Sequence, residues 1–154
     1  MSFYPAFICM NGHVIATVSS RCPDRYCIKC GSPIIHKCNN CDATIRGSST
    51  DDYIYETIYS VPAYCPTCGK PYPWTSAAIE ATTHLIAEES RLSEQDQQKL
   101  IEVLPDALSD TPRTQLAAMR FKRIMALGGF IADGLRDFAV NCCSQAFLKF
   151  LGLD

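Results

Sequence analysis

Long apolar stretches are missing from this 154-residue chain. In its C-terminal half, the longest segments without a charged residue are residues 124–132 and 138–148. Both are well short of the roughly 20 residues that a membrane-spanning helix needs. The N-terminal segment also lacks the basic start and apolar centre of a signal peptide. We therefore expect a cytoplasmic protein without a transmembrane span.

A strong net charge is missing as well, since the formal net charge is -2. This excludes a strongly basic nucleic-acid binder and leaves a weak one open. The charges are unevenly distributed, because residues 76–110 sum to -6 and residues 111–154 sum to +3. Helices of opposite charge that pair with each other would explain this pattern, and so would two solvated faces.

Common catalytic motifs are absent from the sequence. It contains no His-Glu-x-x-His, no deaminase-type His-x-Glu with a downstream Pro-Cys-x-x-Cys, and no glycine-rich phosphate loop. Even a local likeness to the deaminase motif fails, because Pro66 follows Cys65 instead of preceding it. The sequence therefore predicts a protein that is not an enzyme.

Cysteine, in contrast, is abundant, with ten residues in the chain. Three C-x-x-C pairs and one C-x3-H pair offer enough ligands for two tetrahedral zinc ions. The candidate ligands are Cys9, His13, Cys27, Cys30, Cys38, Cys41, Cys65 and Cys68. Cys22 is a possible substitute for His13 as a ligand. Cys142 and Cys143 are adjacent on a predicted helix and cannot chelate one ion together.

Two of the C-x-x-C pairs belong to a short internal repeat, Tyr-Cys-x-x-Cys-Gly-x-Pro, which begins at Tyr26 and again at Tyr64. A glycine after the second cysteine permits positive φ without strain. A thioredoxin-type redox site would need one such pair in a βαβ setting, and disulfides would need an oxidising compartment. Zinc binding is therefore the preferred interpretation, and a thiol-redox protein remains an alternative.

The spacing leaves three ways of assigning the pairs to two ions. A sequential arrangement joins the first pair with the second and the third with the fourth. A crossed brace joins the first with the third and the second with the fourth. A nearest-neighbour ribbon joins the second with the third. The same eight ligands serve in all three arrangements.

Sites filled by cysteine, with at most one histidine, have no open position for a reacting water, so the predicted zinc ions are structural. They would replace the core that the first half cannot build from apolar residues alone. We therefore predict a non-catalytic zinc-binding adaptor or interaction module. A zinc-ribbon nucleic-acid binder, using cations such as Arg46 and Lys70, is the main alternative.

The predicted fold class is α+β, with a pair of small β zinc ribbons in residues 1–74 and a helical region in residues 75–154. Short strands are expected at residues 14–18, 34–35 and 53–60, with a turn at Gly47. Tyr53, Tyr55 and Tyr59 would share one face of the last strand, as a sheet-stabilising ladder or a base-stacking platform.

Three helices are expected in the second half. The first begins after Thr75 or Ser76 and runs to about Arg91. The second is capped by Ser93, with Asp96 three residues later, and is ended by Pro105. The third and longest opens at Thr111 and Pro112 and is kinked or divided at residues 128–129.

This third helix has basic residues near its start and carries an approximate apolar stripe, formed by Leu116, Met119, Ile124, Leu127, Ile131, Leu135, Phe138 and Cys142. Packing against the acidic helices would explain the stripe. Docking to a protein partner, self-association or adsorption to a membrane surface would also explain it. The residues assigned to partner binding are Arg120, Arg123, Phe130 and Phe138.

Several motifs together resemble a bacterial domain-of-unknown-function family, family 2321, whose members pair zinc-ribbon-like knuckles with a helical C-terminal region. These motifs are Cys9-Met10-Asn11-Gly12-His13, the Cys27, Cys38 and Cys65 pairs, Ile45-Arg46-Gly47, residues 62–75 and residues 109–114. The resemblance implies zinc at the seven paired cysteines, with His13 as the eighth ligand. The sequence departs from the family pattern at Thr44, where proline is expected. The resemblance implies no activity.

Overall fold

The computed structural model describes residues 2–22, 24–50 and 59–154 of the chain. The chain divides into two compact units, Met1–Ser76 and Ala77–Asp154. The fold class is α+β, because short antiparallel strands come first and helices follow. Within the described ranges, no helix is both long and apolar enough to cross a bilayer.

Short antiparallel strands form two small sheets in the first unit. β1 (Phe3–Pro5) pairs with β5 (Arg46–Ser49). In the other sheet, β2 (Phe7–Cys9) lies between β3 (Val14–Ala16) and β4 (Ile34–Ile35). The strands predicted at residues 14–18 and 34–35 are confirmed, although the first ends at Ala16. The predicted strand at residues 53–60, with Tyr53 and Tyr55, falls almost wholly outside the described residues.

The turn predicted at Gly47 is wrong, because Gly47 lies within β5. A Cβ atom at this position would lie 2.5 Å from the Thr17 carbonyl oxygen and 2.7 Å from the Tyr4 carbonyl oxygen. The glycine therefore permits two neighbouring backbones to approach β5 closely, which is a common use of glycine inside a strand.

The apolar core of the first unit is small. Its main cluster of buried residues consists of Ala6, Ile8, Cys38, Ile45, Cys65 and Tyr72. Beside them, the Tyr72 ring stacks on the ring of Trp74, with centroids 4.8 Å apart. The Trp74 indole Nε1 donates a hydrogen bond to the Pro62 carbonyl oxygen at 2.8 Å. Two of the six core residues are cysteines, so few ordinary apolar side chains hold this unit together.

Six helices, not the predicted three, follow in the described part of the chain. They are α1 (Pro73–Ala87), α2 (Glu94–Glu102), α3 (Leu104–Leu108), α4 (Thr114–Met125), α5 (Gly129–Cys142) and α6 (Gln145–Leu151).

The first two predicted helices have different ends in the structure. α1 begins at Pro73, and the Thr75 hydroxyl donates to the Ala63 carbonyl at 2.7 Å instead of capping the helix. The Ser93 cap of α2 is confirmed, because its hydroxyl accepts from the Asp96 backbone N–H at 3.1 Å. Pro105 lies in the first turn of α3. It therefore opens a helix where the sequence predicts an end, as proline at a helix start can.

The predicted long helix is three helices. α4 begins at Thr114, with Arg113 at its N-cap position. The Thr111 hydroxyl donates to the Asp106 carboxylate at 3.0 Å and accepts from the Arg113 backbone N–H at 3.1 Å, so it closes the turn that precedes α4. The division at residues 128–129 is confirmed, because Gly128 and Gly129 have φ of +67° and +74°. α6, which the sequence analysis missed, is capped by Ser144.

The second unit has a larger apolar core than the first. Its aromatic centre is Phe121, whose ring packs edge-on against Phe147 at 5.0 Å and lies 6.2 Å from Phe138. The acidic and basic blocks of the sequence meet here, since Arg113 lies 3.5 Å from the carboxylates of both Glu102 and Asp106. The charge asymmetry therefore reflects pairing between segments of this unit.

Candidate metal centres

Three of the four half-sites have the same backbone structure, which we call a knuckle. In each, the carbonyl of the first cysteine accepts from the N–H four residues later, and its own N–H donates to the carbonyl five residues later. The first bonds, from Gly31, Asp42 and Gly69 to Cys27, Cys38 and Cys65, measure 2.7, 2.9 and 2.8 Å. These tight turns direct both sulfurs of a knuckle to the same side.

The residue after the second cysteine has positive φ in every knuckle. The values are +71° at Gly31, +72° at Gly69 and +59° at Asp42. The repeat found in the sequence covers only the two glycine knuckles, but the Cys38 knuckle is equivalent to them. Asp42 replaces the glycine, and Thr44 makes the bridge to Lys37 where the other two knuckles use proline. Aspartate is among the few residues that tolerate this conformation.

The remaining half-site is the turn between β2 and β3. The Cys9 N–H donates to the His13 carbonyl at 3.0 Å, and the Gly12 N–H donates to the Cys9 carbonyl at 2.9 Å. Pairing of Cys9 with Ile34 across β2 and β4 then places this turn beside the Cys27 knuckle. The first metal site therefore depends on a contact between residues that are distant in sequence.

The eight predicted ligands form two groups of four. The first metal site consists of Cys9, His13, Cys27 and Cys30, and the second of Cys38, Cys41, Cys65 and Cys68. In each group, the ligand atoms all lie within 4.8 Å of one another. The structure thus has the sequential arrangement, and neither the crossed nor the nearest-neighbour arrangement.

The distances within each group match a tetrahedral metal centre. Bond lengths of about 2.3 Å to sulfur and 2.0 Å to nitrogen imply edges of about 3.8 Å between sulfurs and about 3.5 Å between sulfur and nitrogen. In the first site, Sγ of Cys9 lies 3.7 Å from Sγ of Cys30 and 3.4 Å from Nδ1 of His13. His13 Nδ1 is also 3.6 Å from Sγ of Cys27.

The second site has the same spacing. Sγ of Cys38 lies 3.8 Å from Sγ of Cys68, and Sγ of Cys41 lies 3.7 Å from Sγ of Cys65. A disulfide would bring two sulfurs to about 2.05 Å, so these cysteines are free thiols. Both groups therefore fit a metal ion, one with four sulfurs and one with three sulfurs and an imidazole nitrogen.

The thiols within each site differ in pKa. Hydrogen bonds from the backbone and hydroxyl of Ser32 lower the pKa of Cys30 to about 5, and the Cys68 backbone lowers that of Cys65 to about 6. The Ala43 backbone acts the same way on Cys41, but burial and the neighbouring thiols raise its pKa to about 12. Closely spaced thiolates repel one another, so complete ionisation needs a bound cation.

The other cysteines lie outside both groups. The Cys22 thiol donates to the Asp24 carbonyl at 3.2 Å, and the structure does not place it with the first metal site. Cys142 and Cys143 lie at the end of α5, where burial raises the pKa of both thiols. These three residues are the thiols that the two metal sites do not use.

The residues assigned to partner binding lie in different environments. Phe130 is half exposed, and Arg123 is exposed. Arg120 is partly buried and donates to the Lys99 carbonyl at 2.8 Å. Phe138 is only 5% exposed and packs in the aromatic core, so its assignment to partner binding is wrong. Phe138 shares the buried side of α5 with Ile131 and Leu135.

Comparison with known proteins identifies one family. Residues 2–151 match the family model DUF2321, described as an uncharacterized protein conserved in bacteria. The chain belongs to this family. The resemblance drawn from the cysteine motifs is thereby confirmed. No curated protein and no solved structure gave a significant match.

Proposed function

We propose that this protein is a non-catalytic interaction module of the bacterial cytoplasm, in which two structural zinc ions hold the first unit together. The observation that carries this proposal is the complete ligand set of each site. Four donors already stand at tetrahedral spacing, so a bound ion has no protein-free position for a substrate or a reacting water.

The chemistry of the donors favours zinc. Four thiolates, or three thiolates and an imidazole, suit a borderline-soft ion with tetrahedral preference, whereas calcium and magnesium prefer oxygen. The small core of the first unit supports a structural role, because bound zinc contributes folding free energy directly. Free thiols of this kind persist in a reducing compartment such as the cytoplasm.

Metal content tests the zinc part of the proposal. Freshly purified, reduced protein is expected to hold two zinc ions per chain and at most three reactive thiols, those of Cys22, Cys142 and Cys143. Cys65→Ser should lower the zinc content by one ion, whereas the matched variant Cys22→Ser should keep both. Fewer than two ions in undamaged wild-type protein, with a C-x-x-C pair oxidised, would favour the thiol-redox alternative.

The interaction part rests on apolar side chains that remain exposed on α4 and at the start of α5. Met119 is 62% exposed, Phe130 50% and Leu116 38%. Leu116, Met119 and Arg123 follow one another at helical spacing, so they share one face of α4. We call the surface formed by Leu116, Met119 and Arg123 the α4 face. Its mixture of apolar and cationic groups suits a protein partner or a second copy of the chain.

Sedimentation of the zinc-loaded protein and capture of partners from bacterial lysate test the α4 face. Met119→Glu should abolish self-association or remove a captured protein, while Phe150→Ser, which changes an exposed side chain on α6, should leave both unchanged. Equal behaviour of the two variants would contradict the proposal. Binding of the wild type to anionic vesicles alone would favour the membrane-surface alternative.

A further inference from the structure

An open cleft of about 660 Å³ lies in the first unit, and none of the eight metal ligands lines it. Small-molecule sites commonly fall between about 300 and 1,000 Å³. Its walls come from residues 20–22, 24 and 25, from β4 and the residues after it, and from Pro5 and Phe7. We call it the cation cleft, because three basic side chains line it: Arg21, Arg25 and Lys37.

Positive charge prevails among the described residues that line the cation cleft. Arg21, Arg25 and Lys37 are exposed, and none forms an ion pair with any residue in the described ranges. Asp24 also lines the cleft, so its formal charge is +2 with His36 neutral. Three arginines outside the cleft, Arg91, Arg113 and Arg120, lie beside carboxylates. This local excess of positive charge suits an anion.

The remaining lining has two chemical parts. Ser20 and Thr44 offer exposed hydroxyl groups, which can donate hydrogen bonds to an oxyanion. Pro5, Phe7 and Ile34 supply an apolar wall, with the Phe7 ring 5.3 Å from the His36 ring. A ligand that fills the cleft therefore needs a doubly charged anionic group and an apolar body attached to it.

We propose that the cation cleft binds a phosphomonoester carried on an apolar or aromatic group. A phosphomonoester carries about -1.5 to -2 charges at neutral pH, which balances the +2 of the lining. The guanidinium groups of Arg21 and Arg25 have the planar geometry that suits paired hydrogen bonds to phosphate oxygens. Lys37 adds a third cation, and the apolar wall receives the carbon part.

The knuckles set the positions of two of these cations. Arg25 lies two residues before Cys27, and its carbonyl accepts from the Ile34 N–H at 3.0 Å. Lys37 directly precedes Cys38 and bridges to Thr44. The cleft is thus framed by one knuckle of each metal site. Binding of the phosphomonoester should therefore require both metal ions, which separates it from a non-specific surface charge effect.

Titration calorimetry of the full-length, zinc-loaded protein with phenyl phosphate tests the proposal. We expect saturable binding of one molecule per chain, weakened at least about tenfold by Arg25→Ala or Lys37→Ala. Lys70→Ala removes the same charge from the Cys65 knuckle, outside the cleft, and should bind as the wild type does. Zinc content is measured for every variant, so loss of metal is distinguished from loss of the ligand contact.

Two further probes identify the feature that is recognised. Phenyl sulfate has a similar shape with a single negative charge and should bind at least about tenfold more weakly. Comparing the affinities of free phenyl phosphate and a phosphotyrosine peptide shows whether the cleft prefers the phosphate group on a small molecule or on a polypeptide. Absence of saturable binding to phenyl phosphate, equal binding by Lys37→Ala and wild type, or binding of an oligonucleotide alone would overturn the proposal.

Discussion

The Arg91 guanidinium holds the buried carboxylate of Glu89 by two hydrogen bonds. Nε of Arg91 lies 2.9 Å from Oε1 of Glu89, and Nη2 lies 2.8 Å from Oε2. The same guanidinium donates to the carbonyls of Leu127 and Gly128, each at 2.8 Å. This pair therefore ties the loop after α1 to the junction between α4 and α5, where backbone carbonyls would otherwise lack partners.

Glu89→Gln should destabilise the helical unit at neutral pH. The Glu89 side chain is 2% exposed, and an amide presents one donor group where the carboxylate accepts from Arg91. We expect a clearly lower midpoint of thermal unfolding by far-ultraviolet circular dichroism. Glu88→Gln, the same change at the exposed neighbouring residue, should leave the midpoint nearly unchanged.

The difference between Glu89→Gln and wild type should depend on pH. The hydrogen bonds from Arg91 lower the pKa of Glu89 to about 2, below the value of about 4.3 for glutamate in an unfolded chain. The ion pair therefore stabilises the folded state fully above about pH 5, and this contribution declines as the pH falls toward 2. The unfolding midpoints of the two proteins should converge over that range. A constant difference would contradict this account.

Removal of the metal should affect the two units differently. Trp74 is the one tryptophan, and it packs on Tyr72 in the first unit, whose core includes ligand cysteines. Chelation under reducing conditions should shift its emission to the red, whereas most of the helical dichroism should remain. Added zinc should restore the emission. Simultaneous loss of both signals would show that the helical core also depends on the metal.

The positive φ of the knuckles predicts opposite effects of two substitutions. Asp42→Gly should stabilise the zinc-loaded first unit, because glycine adopts +59° without steric strain. Gly69→Ala should destabilise it by about 1 kcal/mol, although the added Cβ meets no atom within 4 Å. Denaturant unfolding followed by Trp74 fluorescence measures both.

A further glycine variant separates relief of strain from a general effect of glycine. Ile28 is 95% exposed and does not have positive φ. Ile28→Gly should therefore leave stability unchanged or lower it, because glycine adds freedom to the unfolded chain. Stabilisation by Ile28→Gly as great as that by Asp42→Gly would exclude the explanation based on φ.

The metal ligands could be predicted from local spacing, whereas their grouping could not. A C-x-x-C pair forms its knuckle from hydrogen bonds within eight residues, so its presence is visible in the sequence. Which knuckles share an ion depends on the pairing of Cys9 with Ile34, a contact between distant strands. The spacing alone is compatible with all three arrangements.

The helical unit shows a second limit of sequence patterns. Pro105 is compatible with the end of one helix or the first turn of another, and the chain uses the second option. Within α4 the buried side is formed by Ala117, Ala118, Phe121 and Ile124, so Met119, on the predicted stripe, is exposed, whereas Phe138 on α5 is buried. A stripe drawn through the large apolar side chains therefore misplaces the buried side of α4, because it leaves out the two alanines.

Gly47→Ala tests the close approach that the turn prediction overlooked. The added Cβ would meet three backbone carbonyl oxygens, those of Thr17, Tyr4 and Pro5, within 3.0 Å. Backbone atoms cannot move aside as a flexible side chain can, so we expect a loss of about 2 kcal/mol or more in the stability of the first unit.

Thermal unfolding of the zinc-loaded protein, followed by Trp74 fluorescence, measures this loss. Arg46→Ala is the matched control in the same strand, because it removes only an exposed cation that lies 5.4 Å from the Phe3 ring centre. Its expected cost is about 1 kcal/mol or less. If Gly47→Ala proved no more destabilising than Arg46→Ala, the close packing of β5 against its neighbours would be refuted, and the turn would again be the better description of this segment.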